Sequence, residues 1–226
     1  MSTPLSRRLL TIIPVDAATV AIGLPAAFVD FYDDSGQTEK RGAVIANTGA
    51  DGGYGAYEVL DGTGTVVGVE VVIYSPTAQK MLESFIADEL GWAPDKNFFD
   101  RYFAKTAAPE ELVLFRQYGA LEQDNWGRFM DQAMAVDPAE EARAVPGGGG
   151  DMVVADGLLV VCDPWCLGSD YTVAVSPGTY KPVKWAEKEP QAQSFGDGTV
   201  RIGVYRDDLG IGEDQRIAGA RGGAGS

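Results

Sequence analysis

The segment 54–74 constrains the fold most, because its pattern is that of a single β-hairpin. Side chains alternate in character along 54–60 and again along 66–74, as they do in strands with one buried face. Asp61-Gly62-Thr63-Gly64 joins the two runs, and glycine adopts the positive φ values of tight turns without strain. The segment therefore predicts two antiparallel strands connected by a short turn.

Strand-like runs lie at both ends of the chain, and helical patterns lie between them. The first β-rich part spans 9–74, the helical part 75–145 and the second β-rich part 151–206. Residues 146–150 are a proline and four glycines, which predict a linker with little conformational preference. The glycine-rich tail 216–226 is predicted to be disordered.

From this order we predict a single α+β domain over residues 1–226, dominated by an antiparallel sheet or sandwich. Strands from both ends of the chain are expected to form one core, and helices from the central segment are expected to pack against it. The alternative is two separate β units, one on each side of the four glycines.

Local signals predict individual elements within these parts. Residues 26–32 alternate as a strand would. Ser75-Pro76 is typical of the N-cap and first position of a helix. A second helical region begins near Pro109, and Gly119 and Gly127 are predicted to break or kink it.

The chain contains no histidine, which excludes several kinds of site. Hydrolases built on Ser-His-Asp or Cys-His pairs need an imidazole base, and many zinc sites need an imidazole ligand. The cysteines Cys162 and Cys166 have C-x₃-C spacing, unlike the C-x₂-C of redox and zinc-ribbon motifs. A disulfide would need a turn at Asp163-Pro164, and we favour two small thiols that are buried or half-buried.

The charge of the chain indicates which partners it attracts. Lys and Arg number 18 against 33 Asp and Glu, a formal net charge of −15. Such a surface repels phosphate backbones and anionic lipid but attracts basic proteins, although solubility alone also explains it. We therefore expect no nucleic-acid or membrane partner. The apolar stretch after Arg8 is interrupted by Pro14 and Asp16, too early for a signal-peptide core, which predicts a cytoplasmic protein.

The glycine-rich turn before the hairpin is a candidate ligand cradle. A phosphate cradle needs a glycine loop followed by a helix N-terminus, whereas the strand-like run 54–60 follows here, so we expect no cofactor. Asp30, Asp33, Asp34 and Asp51 carry the oxygen ligands that hard cations prefer. The competing interpretation is that these aspartates only form turns, as aspartates beside glycines often do.

Asp163 is a candidate general acid. It lies beside Trp165 between two predicted strands, and an aromatic neighbour can raise the pKa of a carboxyl group. Asp-Pro is also a common start of a turn, and this structural interpretation is the one we favour.

Three segments resemble bacterial and phage proteins of the domain-of-unknown-function 4241 type. Asp34-Ser35-Gly36-Gln37, Asp51-Gly52-Gly53-Tyr54 and Ser176-Pro177-Gly178-Thr179-Tyr180 match its DSGQ, GDGGY and PPGTY motifs, and Asp163-Pro164 matches its DP strand end. In that family the DP segment comes first, so this chain resembles a circularly permuted version. The resemblance implies a shared β-rich fold and supplies no catalytic residues.

Two functions follow as hypotheses. The first is a non-catalytic, acidic protein-binding module, such as an immunity-type or phage-encoded inhibitor of a basic partner, with Trp126 and Trp165 as aromatic anchors. The alternative is a carboxylate-dependent hydrolase, or an enzyme that binds a small ligand or divalent cation, which uses Asp34, Asp51 and Asp163. The alternative requires the DSGQ, GDGGY and DP segments to meet in one pocket.

Overall fold

The computed structural model describes residues 5–28, 41–135, 142–166, 170–187 and 199–211. The predicted cation ligands Asp30, Asp33 and Asp34, the DSGQ motif and the predicted disordered tail 216–226 lie outside the described residues.

The chain divides into two compact units. One comprises Met1–Tyr74 together with Glu141–Ser226, and the other is the continuous segment Ser75–Glu140. We call them the β unit and the helical unit, after the elements that each contains.

The strands of the described chain all belong to the β unit. In chain order they are β1 Ser6–Val15, β2 Thr19–Gly23, β3 Ala43–Asn47, β4 Gly52–Leu60, β5 Val66–Val72, β6 Ala142–Pro146, β7 Met152–Val154, β8 Leu158–Cys162, β9 Tyr171–Ala174, β10 Gly178–Glu187 and β11 Thr199–Arg206.

Within the described residues these strands form one seven-stranded and one four-stranded sheet, and every pairing is antiparallel. The larger sheet has the order β1-β4-β5-β11-β10-β6, with β7 also paired to β10, and the smaller has the order β3-β2-β8-β9. β5 pairs with β11 and β2 pairs with β8, so each sheet joins strands from both ends of the chain. The predicted α+β class, dominated by antiparallel β-structure, is confirmed. The alternative of two separate β units is wrong.

The main core of the β unit lies between the two sheets. Alternate residues of each strand face it, as the period of two requires. Its buried side chains come from both sheets: Ile13, Val15, Val20, Ile22, Val44, Ala46, Ala56, Val69, Val71, Ile73, Met152, Val154, Leu159, Val161, Val173, Val175, Tyr180, Ile202 and Val204.

The predicted hairpin is formed by β4 and β5, and aspartate fixes its turn. The Asp61 carboxylate accepts hydrogen bonds from the backbone N–H groups of Thr63 and Thr65 at 2.8 and 3.0 Å. Gly64 N–H donates to the carbonyl of Asp61. Val69 pairs with Glu58 in this hairpin.

The helical unit contains α1 Pro76–Leu90, α2 Lys96–Phe103 and α3 Pro109–Ala135. Ser75 caps α1 as predicted, since its hydroxyl accepts from Ala78 N–H at 3.2 Å. Gly91 ends the helix with φ of 60°, a left-handed conformation that glycine adopts without strain. Although α3 is 27 residues long, no helix of the described chain is apolar enough over a sufficient length to cross a membrane.

Two local predictions were wrong. Pro25–Ala27 forms a 3₁₀ turn rather than the start of a strand, because Pro25 has a fixed φ suited to a first helical position. The other residues of the predicted strand 26–32, apart from Phe28, lie outside the described residues. The predicted break at Gly119 and Gly127 is wrong, because α3 is one helix through both positions, while the alternative of a kink there stays a prediction.

The predicted glycine linker is a defined turn between β6 and β7. Gly147 is buried, and its N–H donates to the Pro182 carbonyl at 3.0 Å. Gly148, Gly149 and Gly150 follow with φ between 70° and 76°, values that residues other than glycine rarely adopt. The helical part also ends earlier than the predicted residue 145, because β6 begins at Ala142 and pairs with β10.

Candidate functional site

Asp51 lies in the turn between β3 and β4 and holds a second turn, the one between β1 and β2. Its carboxylate accepts a hydrogen bond from Ala18 N–H at 3.1 Å. Thr48 and Tyr54 hydroxyls both donate to the Ala50 carbonyl, at 2.7 and 2.8 Å. A strand follows directly, so the glycine-rich segment is the corner of a hairpin and lacks the helix of a phosphate cradle.

Asp163 is buried, with 1% of its surface exposed, and it holds the same β1–β2 turn. One carboxylate oxygen accepts from the N–H groups of Asp16 and Ala17, both at 2.8 Å. The other oxygen accepts from Trp165 N–H at 2.9 Å. These bonds support the structural interpretation of the Asp-Pro step, because the buried Asp163 carboxylate satisfies backbone donors of its own turn and of the β1–β2 turn.

The GDGGY and DP segments therefore meet at the turn of residues 16–18. In the described part of the chain, no group of three or more Asp, Glu, Cys or His side chains is arranged to hold a metal ion. Asp34 lies outside the described residues, so the hydrolase that would use Asp34, Asp51 and Asp163 stays a prediction. What the two described aspartates do is fix one turn.

Both cysteines are free thiols, in line with the interpretation favoured from the sequence. Cys162 is buried, and burial, with smaller contributions from Asp170 and Asp163, raises the pKa of its thiol to about 12. Burial and a hydrogen bond to Asp163 also raise the pKa of Cys166. Neither thiol is therefore activated toward the thiolate that acts as a nucleophile.

A buried ionic cluster lies on the face of the larger sheet that points away from the core between the sheets. Glu70 on β5 is fully buried and accepts two hydrogen bonds from the Arg7 guanidinium, at 2.7 and 3.2 Å. Tyr205 donates to Glu70 at 2.7 Å, and Trp185 Nε1 donates to the Tyr205 hydroxyl at 2.8 Å. Arg201 lies 3.4 Å from Glu70 and stacks on the Trp185 ring, with its carbon Cζ 4.5 Å from the ring centroid.

The helical unit contains an open groove between its three helices. The groove has a volume of about 630 Å³, within the range of ligand pockets, roughly 300–1,000 Å³. We call it the aromatic groove and define it by six of the twelve residues that line it: Phe99, Tyr102, Leu112, Phe115, Tyr118 and Gly119.

Rings packed edge to face make the wall of the groove. Phe115 lies 5.3 Å from Tyr102 and 5.9 Å from Phe99 between ring centroids. Buried Phe98 supports Phe115 from behind at 5.0 Å. Tyr102 keeps 39% of its surface exposed, so part of the wall faces solvent.

Three charged side chains complete the groove: Glu83 from α1, and Arg116 and Glu122 from α3. Burial, together with smaller contributions from Glu83 and Glu122, which repel a phenolate, raises the pKa of Tyr118 to about 12. Both carboxylates therefore act on the same wall of the groove, and Tyr118 stays a neutral hydroxyl at neutral pH.

The tryptophans predicted as anchors lie elsewhere. Trp126 is half-buried on α3 and does not line the aromatic groove. Trp165 belongs to the β unit, where it is half-buried against an apolar cluster around Ala21 and Val160.

Sequence reasoning missed both the buried cluster and the aromatic groove. A glutamate inside the apolar run 66–73 was the available signal for the cluster, since an unpaired charge there would be costly. Phe98, Phe99, Tyr102 and Phe103 within eight residues were the signal for the groove. Comparisons with protein-family models, with curated proteins and with solved structures found no match to this chain.

Proposed function

We propose that this chain is an acidic protein-binding module, which docks an apolar and basic segment of a partner protein in the aromatic groove. The observation that carries the proposal is the groove itself, in which solvent-facing rings adjoin two carboxylates. Aromatic residues are enriched at protein interfaces because they bury a large area with few rotatable bonds.

An exposed ring beside the groove extends the apolar surface. Phe103 ends α2 with 76% of its surface exposed, and it contacts two groove residues. Its ring centroid lies 5.6 Å from that of Tyr102 and 6.4 Å from that of Phe99. Contact with a partner would remove this ring from water, which favours association.

The charge of the helical unit favours a basic partner. Residues 75–140 contain twelve Asp and Glu against six Lys and Arg, a net charge of −6. An anionic surface of this kind speeds the encounter with a basic partner and makes the association rate dependent on salt. The more specific expectation of an immunity-type or phage-encoded inhibitor stays a prediction.

A defined peptide tests the proposal. The probe is a 14-residue amphipathic peptide of leucine, tryptophan and arginine, titrated into the full chain and followed by ¹H–¹⁵N NMR. We expect shifts concentrated at the groove residues 79–83 and 93–122, and binding that weakens with salt. A counterpart with every arginine replaced by glutamate is expected not to bind, because the groove carboxylates repel it.

Two exposed apolar residues give matched variants for this titration. Phe103→Ala is expected to weaken binding at least about fivefold, the effect of a contact worth about 1 kcal/mol. Val153→Ala removes an equally exposed apolar side chain from the β unit, at 69% exposure, and should leave the affinity unchanged. Shifts spread over the whole acidic surface, or equal effects of the two variants, would refute the proposal.

A further inference from the structure

Gly119 leaves an unfilled notch in the wall of the aromatic groove. A Cβ atom placed on Gly119 would meet no heavy atom within 4 Å, so packing inside the chain does not require glycine here. Glycine inside a helix is less favourable than alanine, because it loses more backbone entropy and packs no side chain. The open space at Gly119 lies on the groove side of α3, where a side chain from outside the chain can enter it.

The surroundings of the notch are suited to a flat cation. On α3, Phe115 lies one turn before Gly119 and Glu122 nearly one turn after it, so both share its side of the helix. Tyr102 and Glu83 belong to the same groove. Rings provide faces that attract cations, and the two carboxylates provide the opposite charge.

The helical unit already contains this kind of contact. The guanidinium of Arg128 lies 4.9 Å from the centroid of the Phe85 ring and 4.7 Å from that of Phe129. Guanidinium is planar and weakly hydrated, so it stacks on rings more readily than an ammonium group.

We propose that the notch at Gly119 receives one arginine side chain of the docked partner, with its guanidinium on the Phe115 and Tyr102 rings and toward Glu83 and Glu122. This inference rests on the proposed function, because it names the side chain that the docked segment inserts. The groove's own cation, Arg116, is exposed, and two carboxylates against one guanidinium leave an uncompensated negative charge for the incoming arginine.

The raised pKa of Tyr118 agrees with this charge balance. Glu83 and Glu122 both contribute to it, after burial, and a cation bound between them would lower it.

A pair of small molecules tests the notch without any protein partner. N-butylguanidinium has the charge and shape of an arginine side chain, and N-butylurea is its neutral counterpart. Both are titrated into the full chain, and the Gly119 amide is followed by NMR. We expect N-butylguanidinium to bind at least about fivefold more tightly, because charge and cation–π attraction act only on the cation.

Two glycines of α3 supply matched variants. Gly119→Leu fills the notch and is expected to abolish the difference between the two molecules. Gly127→Leu places the same side chain at another open position of the same helix, outside the groove, and should bind like the parent chain. Circular dichroism verifies that both variants remain helical, which is expected because leucine is a better helix former than glycine.

The outcomes of this titration are distinct from those of the peptide titration. Equal binding of the two molecules, shifts away from the groove residues 79–83 and 93–122, or full binding by Gly119→Leu would overturn the inference. If the peptide docks in the groove while the two small molecules bind equally, the proposed function stands without an arginine notch. If N-butylguanidinium binds at Gly119 but the peptide fails to dock, the notch stands and the proposed function fails.

Discussion

The β unit and the helical unit both place aromatic rings beside arginine and glutamate, but one arrangement is closed and the other is open. In the β unit, Glu70, Trp185 and Tyr205 have at most 3% of their surface exposed and bond to one another. In the aromatic groove, Tyr102 is 39% exposed and faces solvent. Where these residue types satisfy each other's hydrogen bonds and charges, they stabilise the fold. Where they face solvent, they remain available for binding.

Gly147 differs in the same way from the two glycines inside α3. A Cβ atom at Gly147 in the β unit would lie 2.8 Å from the carbonyl carbon of Pro182 and 2.9 Å from the nitrogen of Val183. Gly119 and Gly127 in the helical unit have open space instead. At Gly147 the missing side chain permits two backbones to meet, whereas at Gly119 and Gly127 it leaves room that the chain itself does not use.

The largest expected effect on stability comes from disrupting the buried ionic cluster of Glu70. Glu70→Gln removes the charge that pairs with Arg7 and Arg201, and leaves two guanidinium groups without their carboxylate. We expect the free energy of unfolding of the β unit to fall by about 3–5 kcal/mol, the scale found when one partner of a buried ion pair is removed. Urea denaturation, followed through amide signals of β5 and β11, measures the change.

A second glutamate of the same sheet is the control for Glu70→Gln. Glu58 pairs with Arg8, whose side chain is 64% exposed, at 2.7 Å. Glu58 is itself 8% exposed, but its partner guanidinium stays in water, so Glu58→Gln should lower the free energy of unfolding by only about 1–2 kcal/mol, less than Glu70→Gln. Equal effects of the two substitutions would mean that the buried ionic cluster contributes no more than a pair with one exposed partner.

The buried ionic cluster also predicts that the stability of the fold depends on pH. Burial raises the pKa of Glu70, but Arg201 and Arg7 outweigh burial and hold the pKa below its usual value of 4.5. A carboxyl group whose pKa is lower in the folded state stabilises the fold above pH 4.5, and this contribution is lost as the pH falls further. The stability difference between the parent chain and Glu70→Gln should therefore be constant down to pH 4.5 and shrink below it.

Denaturation curves at several pH values measure this difference. It should shrink by at most about 1.4 kcal/mol per pH unit, the limit for one titrating group. A difference that grows in acid would mean that the folded state raises the pKa of Glu70, with burial stronger than the two arginines.

The next effect concerns the turn that the sequence predicts as a linker. Gly147→Ala would press a methyl group against the backbone of β10, so we expect the free energy of unfolding to fall by about 1–3 kcal/mol, as in overpacked cores. The same urea denaturation measures it. A variant as stable as the parent chain would restore the interpretation of residues 146–150 as an unconstrained linker.

The elements that the sequence predicts well are those with one buried face or a clear cap. The β4–β5 hairpin and the start of α1 have such signals, and the structure confirms both. β2 and β3 were missed because four of the five residues in each are buried, on both faces of the smaller sheet. A strand buried on both faces shows no alternation, and five residues are too few to distinguish it from other apolar runs.

The sites were harder to predict because they depend on distant partners. Glu70 is 63 residues from Arg7 and 131 from Arg201, and only the sheet order brings the three together. Trp126 and Trp165 were predicted as anchors because tryptophan is enriched at binding sites. Whether a ring can anchor a partner depends on its exposure and its neighbours, which are properties of the fold. The structural interpretation of Asp163 was available in part, because an Asp-Pro turn satisfies a donor of its own turn, here Trp165 N–H. The bonds from Asp16 and Ala17 depend on the topology of the sheets.

The smallest expected effect separates stability from binding within one helix. Gly119→Ala and Gly127→Ala should each raise the free energy of unfolding of the helical unit by about 0.5–1 kcal/mol, since alanine favours the helix and its Cβ meets no neighbour. Urea denaturation followed by circular dichroism at 222 nm measures the gain. Only Gly119→Ala should also weaken N-butylguanidinium binding, because only that methyl group enters the groove. If Gly119→Ala instead lowers the free energy of unfolding, the chain itself already occupies the notch. The aromatic groove would then not be open at Gly119, and the contrast between the two units would fail there.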